Sequence, residues 1–364
     1  MNTAFGVNAI IGLLLTSLVI TPAGSAEVFN ESLNTETLTI SVSGDLLVHH
    51  SQYEQALADG GGSYDFRNQL APAKSLLTAD INICHLETPL TPGEPSTFPI
   101  FATPDSLATA IKATGWDGCS AASNHSLDRG EAGIYHTIKT MRAAGLKVAG
   151  IRNREPKNRR TDSAIGWYQP KPDLMVAHLA YTWSTNGIRP KYNWLVNSPI
   201  NPKSIIKDAQ AAKRNGADLV IVSIHAGNEY SPTPSSYQKF IARTIMANPA
   251  VDAMVGHHAH VVQDAELISG KPVVYGLGNF WSGQGAWSDQ PASQSGALVT
   301  LNFTRSINSD TSFSYVGARI NSVLTTPENW QVFPANRIPV ASRWGSAARA
   351  AIAEISARLS PLQP

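Results

Sequence analysis

Short aliphatic and β-branched runs alternate along this chain with segments of helical periodicity, and polar residues with metal-ligand chemistry stand where the runs stop. That alternation limits the fold more than any other feature. Short apolar runs bounded by Gly, Asn or Asp read as buried strands, and the amphipathic stretches between them, ended by Gly, read as helices. Strands are expected at 38–43 (LTISVS, stopped by Gly44 and Asp45), 81–86, 118–122, 174–180, 219–224 and 253–255. Helices are expected at 105–113, closed by Gly115, and at 133–144, stopped by Gly145. A third runs from Pro202 to Asn215, with Asn201 as N-cap and Gly216 as stop, and a fourth covers 235–247. The implied architecture is α/β.

Beyond Lys271 the texture changes. Segments 273–277, 297–303, 312–319 and 321–325 read as strands with no helix between them, an antiparallel layer added to or facing the first sheet. The stretch 281–295, rich in Gly, Ser, Gln and Trp, reads as a loop, and Ala-rich 342–359 as a helix packed on the outside.

With 364 residues, 43% apolar and 15% charged, the chain can bury a large core without a disulfide or metal staple. Its 28 basic and 27 acidic residues leave no global field for nucleic acid or an anionic membrane. A strongly basic nucleic-acid binder, a collagen-like chain and a disulfide miniprotein are thereby excluded. The two cysteines, Cys84 and Cys119, are expected as small buried thiols rather than as a pair.

The first residues read as an export signal. Apolar 7–20 is followed by Ala23-Gly24-Ser25-Ala26, with cleavage expected after Ala26. The run is shorter than the ~20 residues of a membrane helix. No Lys or Arg precedes Arg67, so an uncleaved membrane anchor is the alternative. The expected location is periplasmic or extracellular. Residues 1–26 would be the signal, 37–335 the main domain and 336–364 a helical extension.

Candidate ligands sit at the ends of the expected strands: Asp45, Glu87, Asn124 with His125, His225, and the cluster His257, His258 and His260. Open α/β sheets bind ligands outside the carboxyl ends of their strands. Eight of the ten histidines (His49, His50, His85, His125, His225, His257, His258, His260) fall in these short segments. Carboxylate, amide oxygen and imidazole suit Mn²⁺, Fe²⁺ or Zn²⁺, one ion or two. His258-x-His260 is expected to place two imidazoles on one side of an extended segment. Asp45 or Glu87 has the chemistry to bridge two ions, and His125 to donate a proton.

Six motifs then occur in order: Gly44-Asp45-Leu-Leu-Val-His49, His85-Leu86-Glu87, Ser123-Asn124-His125-Ser-Leu-Asp128-Arg-Gly130, His225-Ala-Gly-Asn-Glu229-Tyr230, Gly256-His-His258-Ala-His260-Val and Gly276-Leu-Gly278-Asn279-Phe280. Together they resemble the capsule synthesis protein CapA family of poly-γ-glutamate synthesis accessory proteins, itself similar to the calcineurin-like metallophosphatases. The resemblance covers roughly 38–280 and implies a four-layer αββα fold. It also implies that Asp45, Glu87, Asn124, His225, His258 and His260 hold metal, with His125 as the catalytic histidine and Asp45 beside it. His49, His85, Asp128, Glu229, His257 and Asn279 are assigned to supporting or substrate-facing positions, with His257 the expected spectator and Asp128 a support of its loop.

Three departures stand out: Leu47 replaces the His of Asp-x-His, His85 replaces the Asn of Asn-Leu-Glu, and Ala226 replaces the Trp after the fourth-motif His. The implied activity is metal-dependent hydrolysis of a phosphoester, or of another bond in an anionic envelope polymer. The rivals are a non-enzymatic accessory factor with a vestigial site, and metal-independent acid–base chemistry on a peptide. Expected partners are an anionic polymer or a phosphorylated small substrate, a membrane-bound polymer synthase complex, and no nucleic acid. The basic run Arg152, Arg154, Lys157, Arg159 and Arg160 is either a solvated loop or a polyanion-attracting rim. Tyr181, Trp183, Tyr192 and Trp194 are either loop packing or a pocket wall, and His136 and His178 are expected to be structural.

Overall fold

The computed structural model describes residues 35–157, 162, 164–286, 290–307 and 312–363. The expected export signal, and Arg159 and Arg160 of the basic run, lie outside the described residues, as do 287–289 of the expected 281–295 loop.

The strands in chain order are β1 (Thr35–Leu47), β2 (Ile81–Leu86), β3 (Leu90–Thr91), β4 (Thr103–Pro104), β5 (Gly118–Ser120), β6 (Lys147–Ala149), β7 (Gly166–Lys171) and β8 (Leu174–Thr182). They continue with β9 (Leu219–His225), β10 (Ala253–His257), β11 (Ala265–Ile268), β12 (Lys271–Val274), β13 (Asn279–Ser282), β14 (Ser295–Ser306), β15 (Ser314–Thr326) and β16 (Gln331–Pro334). The helices are α1 (His50–Asp59), α2 (Arg67–Leu70), α3 (Ser106–Thr114), α4 (Gly130–Ala143), α5 (Pro202–Arg214), α6 (Ser236–Met246) and α7 (Gly345–Leu359).

The first sheet has the order β16-β15-β14-β1-β2-β5-β6, with β13 lying parallel to the end of β1. Strands β1, β2, β5 and β6 are parallel, and β14 to β16 continue the sheet antiparallel from the other edge of β1. The second sheet, β11-β12-β10-β9-β8-β7, has a parallel centre and antiparallel edges.

Period-two alternation sorts the side chains into layers. Leu219 and Ile221 of β9 meet Leu38, Ile40, Val42 and Ile83 of the first sheet in the layer between the sheets. Val220, Val222 and Ile224 point the other way, onto Ile205 and Ala209 of α5 and Ile241 and Ile245 of α6. On the outer face of the first sheet, Cys84, Leu86 and Val148 pack with Leu107 and Ile111 of α3 and Ile134 and Ile138 of α4. The result is four layers, α-β-β-α, as the motifs imply.

The local signals work as read. Asn201 caps α5 by accepting the Lys203 and Ser204 amides, and Ser235 with Gln238 forms a capping box on α6. Several expectations need correction. The two runs at 312–319 and 321–325 form one strand, β15, because Asn321 stays in register opposite Leu298. Helix α7 lies on the outside as expected, with Arg349, Glu354 and Ala357 exposed. Its buried face, Ala351, Ile355 and Leu359, nonetheless joins the inter-sheet layer. Trp281 and Ser282 belong to β13 rather than to a loop, since pairing with Leu46 and Leu47 satisfies their backbone. Cys84 and Cys119 are not free thiols. They face each other in register on neighbouring parallel strands, Cα atoms 4.3 Å apart, and are joined as a disulfide.

Candidate metal centre

Strands β1, β2, β9 and β10 all end at one rim, and their last residues turn inward there. Gly44 lets this happen at β1: a Cβ on it would stand 2.1 Å from the Gly278 carbonyl oxygen. That close approach lets the Asp45 amide donate to Gly278 O at 2.8 Å, fixing the Asp45 carboxylate beneath the β10 loop. Asp45 is fully buried. Its Oδ1 accepts from His257 Nδ1 at 3.0 Å, its Oδ2 accepts from the His258 amide at 3.1 Å, and His260 Nδ1 stands 3.5 Å from Oδ2. Burial pushes its carboxyl up, but the hydrogen bonds from His257 and His260 win and hold it well below the usual range.

Glu87 has the opposite environment. It is equally buried, yet among the described residues neither carboxylate oxygen has a hydrogen-bond partner. Two imidazole nitrogens, His225 Nε2 and His260 Nε2, each stand 3.8 Å from Oε1. Burial pushes its pKa up to about 7. His225 Nε2 also reaches Asn124 Oδ1 at 2.9 Å. The buried atoms His85 Nε2, His225 Nδ1 and His258 Nδ1 are unpartnered as well.

Buried polar atoms are nearly always bonded, so this concentration of orphans in one place points to a missing partner. Candidate ligand atoms of Asp45, Glu87 and His260 lie within 4.8 Å of one another, as do those of Glu87, His225 and His258, of Asp45, His85 and His257, and of Glu229, His258 and His260. Carboxylate and neutral imidazole are the donor set of a borderline divalent ion, so the residues fit one. His85 and His225 are held well below the usual imidazole range, and His258 falls to about 3, chiefly through burial. All three rings are therefore neutral, each with one lone-pair nitrogen; that of His258 faces the Trp183 indole. His260 differs: burial opposes its charge, yet the Glu87 and Asp45 carboxylates hold its ring up at about 9.

Supporting contacts orient the rings. His260 Nδ1 donates to Asn279 Oδ1 at 3.0 Å, which turns Nε2 toward Glu87; Asn279 in turn donates to Gln284 Oε1 and Ser293 O. The Trp183 indole donates to His258 Nε2 at 3.3 Å. His258 and His260 adopt positive φ, 86° and 58°, so the segment is a bend rather than the extended one expected. The two rings still face one space, centroids 6.1 Å apart, because left-handed turns rather than strand alternation aim them.

His125 sits at the edge of the cluster. Its Nδ1 donates to Asp128 Oδ2 at 2.8 Å, and the same oxygen accepts the Phe101 amide at 2.7 Å. Ser123 Oγ accepts the His125 amide while donating to Glu87 O, tying the two loops together. His125 and His260 border a cavity of about 540 Å³ that opens to solvent.

The six expected ligands thus converge in space, and Asn279 and Asp128 lie directly behind histidines. His257, the expected spectator, bonds Asp45 and stacks on His85. Leu47, in place of a histidine, lines the cavity. His49 also faces the cavity, its Nδ1 turned back to Leu47 O at 3.2 Å, and burial lowers its pKa to about 4. His50 pairs with Glu54 at the mouth, and Glu229 is an exposed carboxylate on the same wall.

Other residues lie elsewhere. Arg152 is buried in a bidentate pair with Asp162, whereas Arg154 and Lys157 are exposed, so the basic run is not one surface. Tyr181 donates to Asp208, and Tyr192 stacks on Trp194. His136 pairs with Asp105, and His178 bonds Ser223 between the sheets. Sequence reading missed Phe98, Phe101, Asn186 and Gln284. Asn186 Nδ2 lies 3.5 Å from His125 Nδ1, and nothing in its irregular loop signals that.

The sequence profile of the bacterial capsule synthesis protein family PGA_cap matches residues 39–284. The PGA biosynthesis protein CapA of Bacillus subtilis is 32% identical over 167 residues, covering 46% of this chain and 42% of that protein. The capsule biosynthesis protein CapA of Bacillus anthracis is 33% identical over 181 residues, covering 48% and 42%. A probable polyglutamine synthesis accessory protein of Mycobacterium tuberculosis is 29% identical over 173 residues, 44% of each chain. The chain thus matches less than half the length of these relatives. Among solved structures, the calcineurin-like phosphoesterase YfkN from Bacillus subtilis aligns over 89% of this chain and 97% of its own, with a TM-score of 0.50 and 13% identity. That likeness supports the four-layer fold alone.

Proposed function

The chain belongs to the bacterial capsule synthesis protein family PGA_cap, and from that premise we propose that it is a metal-dependent hydrolase of phosphoester type serving the synthesis of an anionic envelope polymer. The observation that carries this reading is Glu87: a fully buried carboxylate with two unbonded oxygens between His225 and His260. An uncompensated buried charge costs several kcal/mol, roughly, and a cation offsets it.

Asp45, Glu87, Asn124, His225, His258 and His260 are the proposed ligands of one or two ions of Mn, Fe or Zn, with His85 and His257 packed against Asp45. A bound divalent ion would supply Lewis acidity, stabilising charge that develops on a phosphoryl oxygen. The protein's own part is proton transfer and positioning. Asp128 holds His125 Nδ1, which leaves Nε2 for the cavity. As the ester P–O bond breaks and the oxygen of water bonds to phosphorus, the protonated His125 ring gives its Nε2 proton to the departing oxygen, and the proton released by the water restores the ring.

Residues 37–335 form the proposed hydrolytic domain, 336–364 its helical extension, and 1–26 an export signal that delivers the protein to the periplasm or exterior, beside a membrane-bound synthase complex. No helix among the described residues is long and apolar enough to cross a membrane. The test is elemental analysis of purified, reconstituted protein, paired with chromogenic phosphomonoester and phosphodiester assays. Bound Mn, Fe or Zn with chelator-sensitive turnover supports the reading; protein that stays metal-free after reconstitution overturns it.

Leu47 favours a second reading, a non-enzymatic accessory factor that binds polymer or synthase, because a phosphatase-pattern ligand is lacking there. Alanine at His125 or His258 separates the two. Unchanged polymer output supports the accessory role, and abolished output supports catalysis.

A further inference from the structure

The cavity beside His125 and His260 has a composition that selects its occupant. Its walls include Leu47, Phe98, Phe101 and Tyr230. Among the described residues no lysine or arginine lines it, and its one carboxylate is Glu229. Phe98 is 75% exposed at the mouth, and Ile100, two residues on, is 41% exposed. Phe101 is buried, its ring edge-on to His125 with centroids 4.6 Å apart and edge-on to His49 at 5.6 Å. The apolar wall therefore begins at the proton-donating histidine itself. Whatever is joined to the departing oxygen must lie along it.

A chain of carboxylates fits this wall badly. It would bring like charge to Glu229 and lose hydration against Phe and Leu, with no lysine or arginine on the wall to compensate and the His260 ring already facing Asp45 and Glu87. An uncharged, apolar group gains from the same burial. The volume, about 540 Å³, is that of a pocket for a small molecule rather than a groove for a polymer. Continuity with the candidate metal centre identifies the occupant as part of the substrate, since His125 and His260 belong to both.

We infer that the substrate is an amphiphilic phosphoester: a phosphate carried at the ligand cluster, joined to a bulky uncharged apolar group that lies against Phe98, Phe101 and Leu47. This rests on the phosphoester reading above and narrows it, because the polymer itself is then not what enters the site.

The experiment uses Mn²⁺-loaded protein and three inert probes, methyl-, phenyl- and octylphosphonate, titrated by calorimetry. Phenyl- or octylphosphonate is expected to bind at least about tenfold tighter than methylphosphonate. A larger gain for octyl assigns a chain-like group, and a larger gain for phenyl a ring. Phe98→Ser, at an exposed position, is expected to erase the gain while leaving methylphosphonate affinity unchanged. Poly-γ-glutamate is expected not to displace the bound probe. Equal affinity across the three probes, or displacement by polyglutamate, overturns the inference. No binding of any phosphonate, together with no phosphoester turnover, instead overturns the phosphoester reading.

Discussion

His85 lies flat on His257, ring centroids 4.1 Å apart and planes 14° from parallel, while His257 Nδ1 donates to Asp45 at 3.0 Å. The pair packs imidazole against the one carboxylate that lacks the Asp-x-His histidine, since Leu47 holds that place. His257→Ala removes the Asp45 partner and the surface on which His85 rests. Metal affinity is expected to fall about 10–100-fold, as for lost supporting contacts at metal sites. Calorimetric Mn²⁺ titration, with circular dichroism to confirm folding, checks this; unaltered affinity would contradict it.

Asp128 accepts both His125 Nδ1–H and the Phe101 amide through one oxygen. His125→Ala is expected to lower turnover about 10²–10⁴-fold, the usual contribution of a positioned proton donor. Asp128→Asn should lower kcat by less and leave phosphonate affinity unchanged, because it alters the orientation and tautomer of the ring rather than the ligand cluster. A rise in KM with constant kcat in either variant would count against proton transfer by His125.

Stability of the metal-free protein should peak near pH 6.5. His49, His85, His178, His225 and His258 all have folded-state pKa values depressed below 6.5, chiefly by burial. Their contribution is present above 6.5 and is lost as pH falls, toward about 4 for His49 and about 3 for His178 and His258. Glu87 and His260 are raised, so their contributions work the other way. That of Glu87 is present below 4.5 and lost as pH rises through about 7; that of His260 is present below 6.5 and lost through about 9. Urea unfolding at pH 5, 6.5 and 8.5 in chelator tests this, with a monotonic trend as the contrary result.

Metal binding should tighten as pH rises from 6 to 8, because Glu87 must release the proton that burial holds up to about 7 before it can ligate. Thermal melts in excess Mn²⁺ should then show a stabilisation over chelator that grows with pH, about 2.7 kcal/mol at a hundredfold excess over Kd. A pH-independent gain would indicate ligation without Glu87.

Thiol alkylation under denaturing, non-reducing conditions should label neither cysteine, because Cys84 and Cys119 are joined across β2 and β5. Reduction before alkylation should add two labels. Labelling without reductant would return them to the free, buried thiols that composition suggests.

Much of this was legible in the residues themselves. Leu219 to Ile224 reads as a strand because β-branched side chains fill both faces of a buried sheet, and Asn201-Pro202 reads as a helix start because cap chemistry is local. The ligand types were legible too, since Asp45, Glu87, Asn124 and His225 stand where apolar runs stop. Signals that span one or two turns of chain are encoded by the residues that show them.

What the chain order could not carry was set by distance in space. His257 looked idle because its partner, Asp45, is 212 residues away and on the other sheet. The disulfide depended on register, which put Cys84 opposite Cys119 across two parallel strands. The turn that aims His258 and His260 is held at positive φ by the packing around it, where propensity favours no such bend. The apolar cavity wall arose only when the loop carrying Phe98 and Phe101 folded back onto His125. Sequence alone determined the elements and the chemistry available; the packing of two sheets decided which groups meet, because contact between distant residues is an energy of the whole fold and of no segment within it.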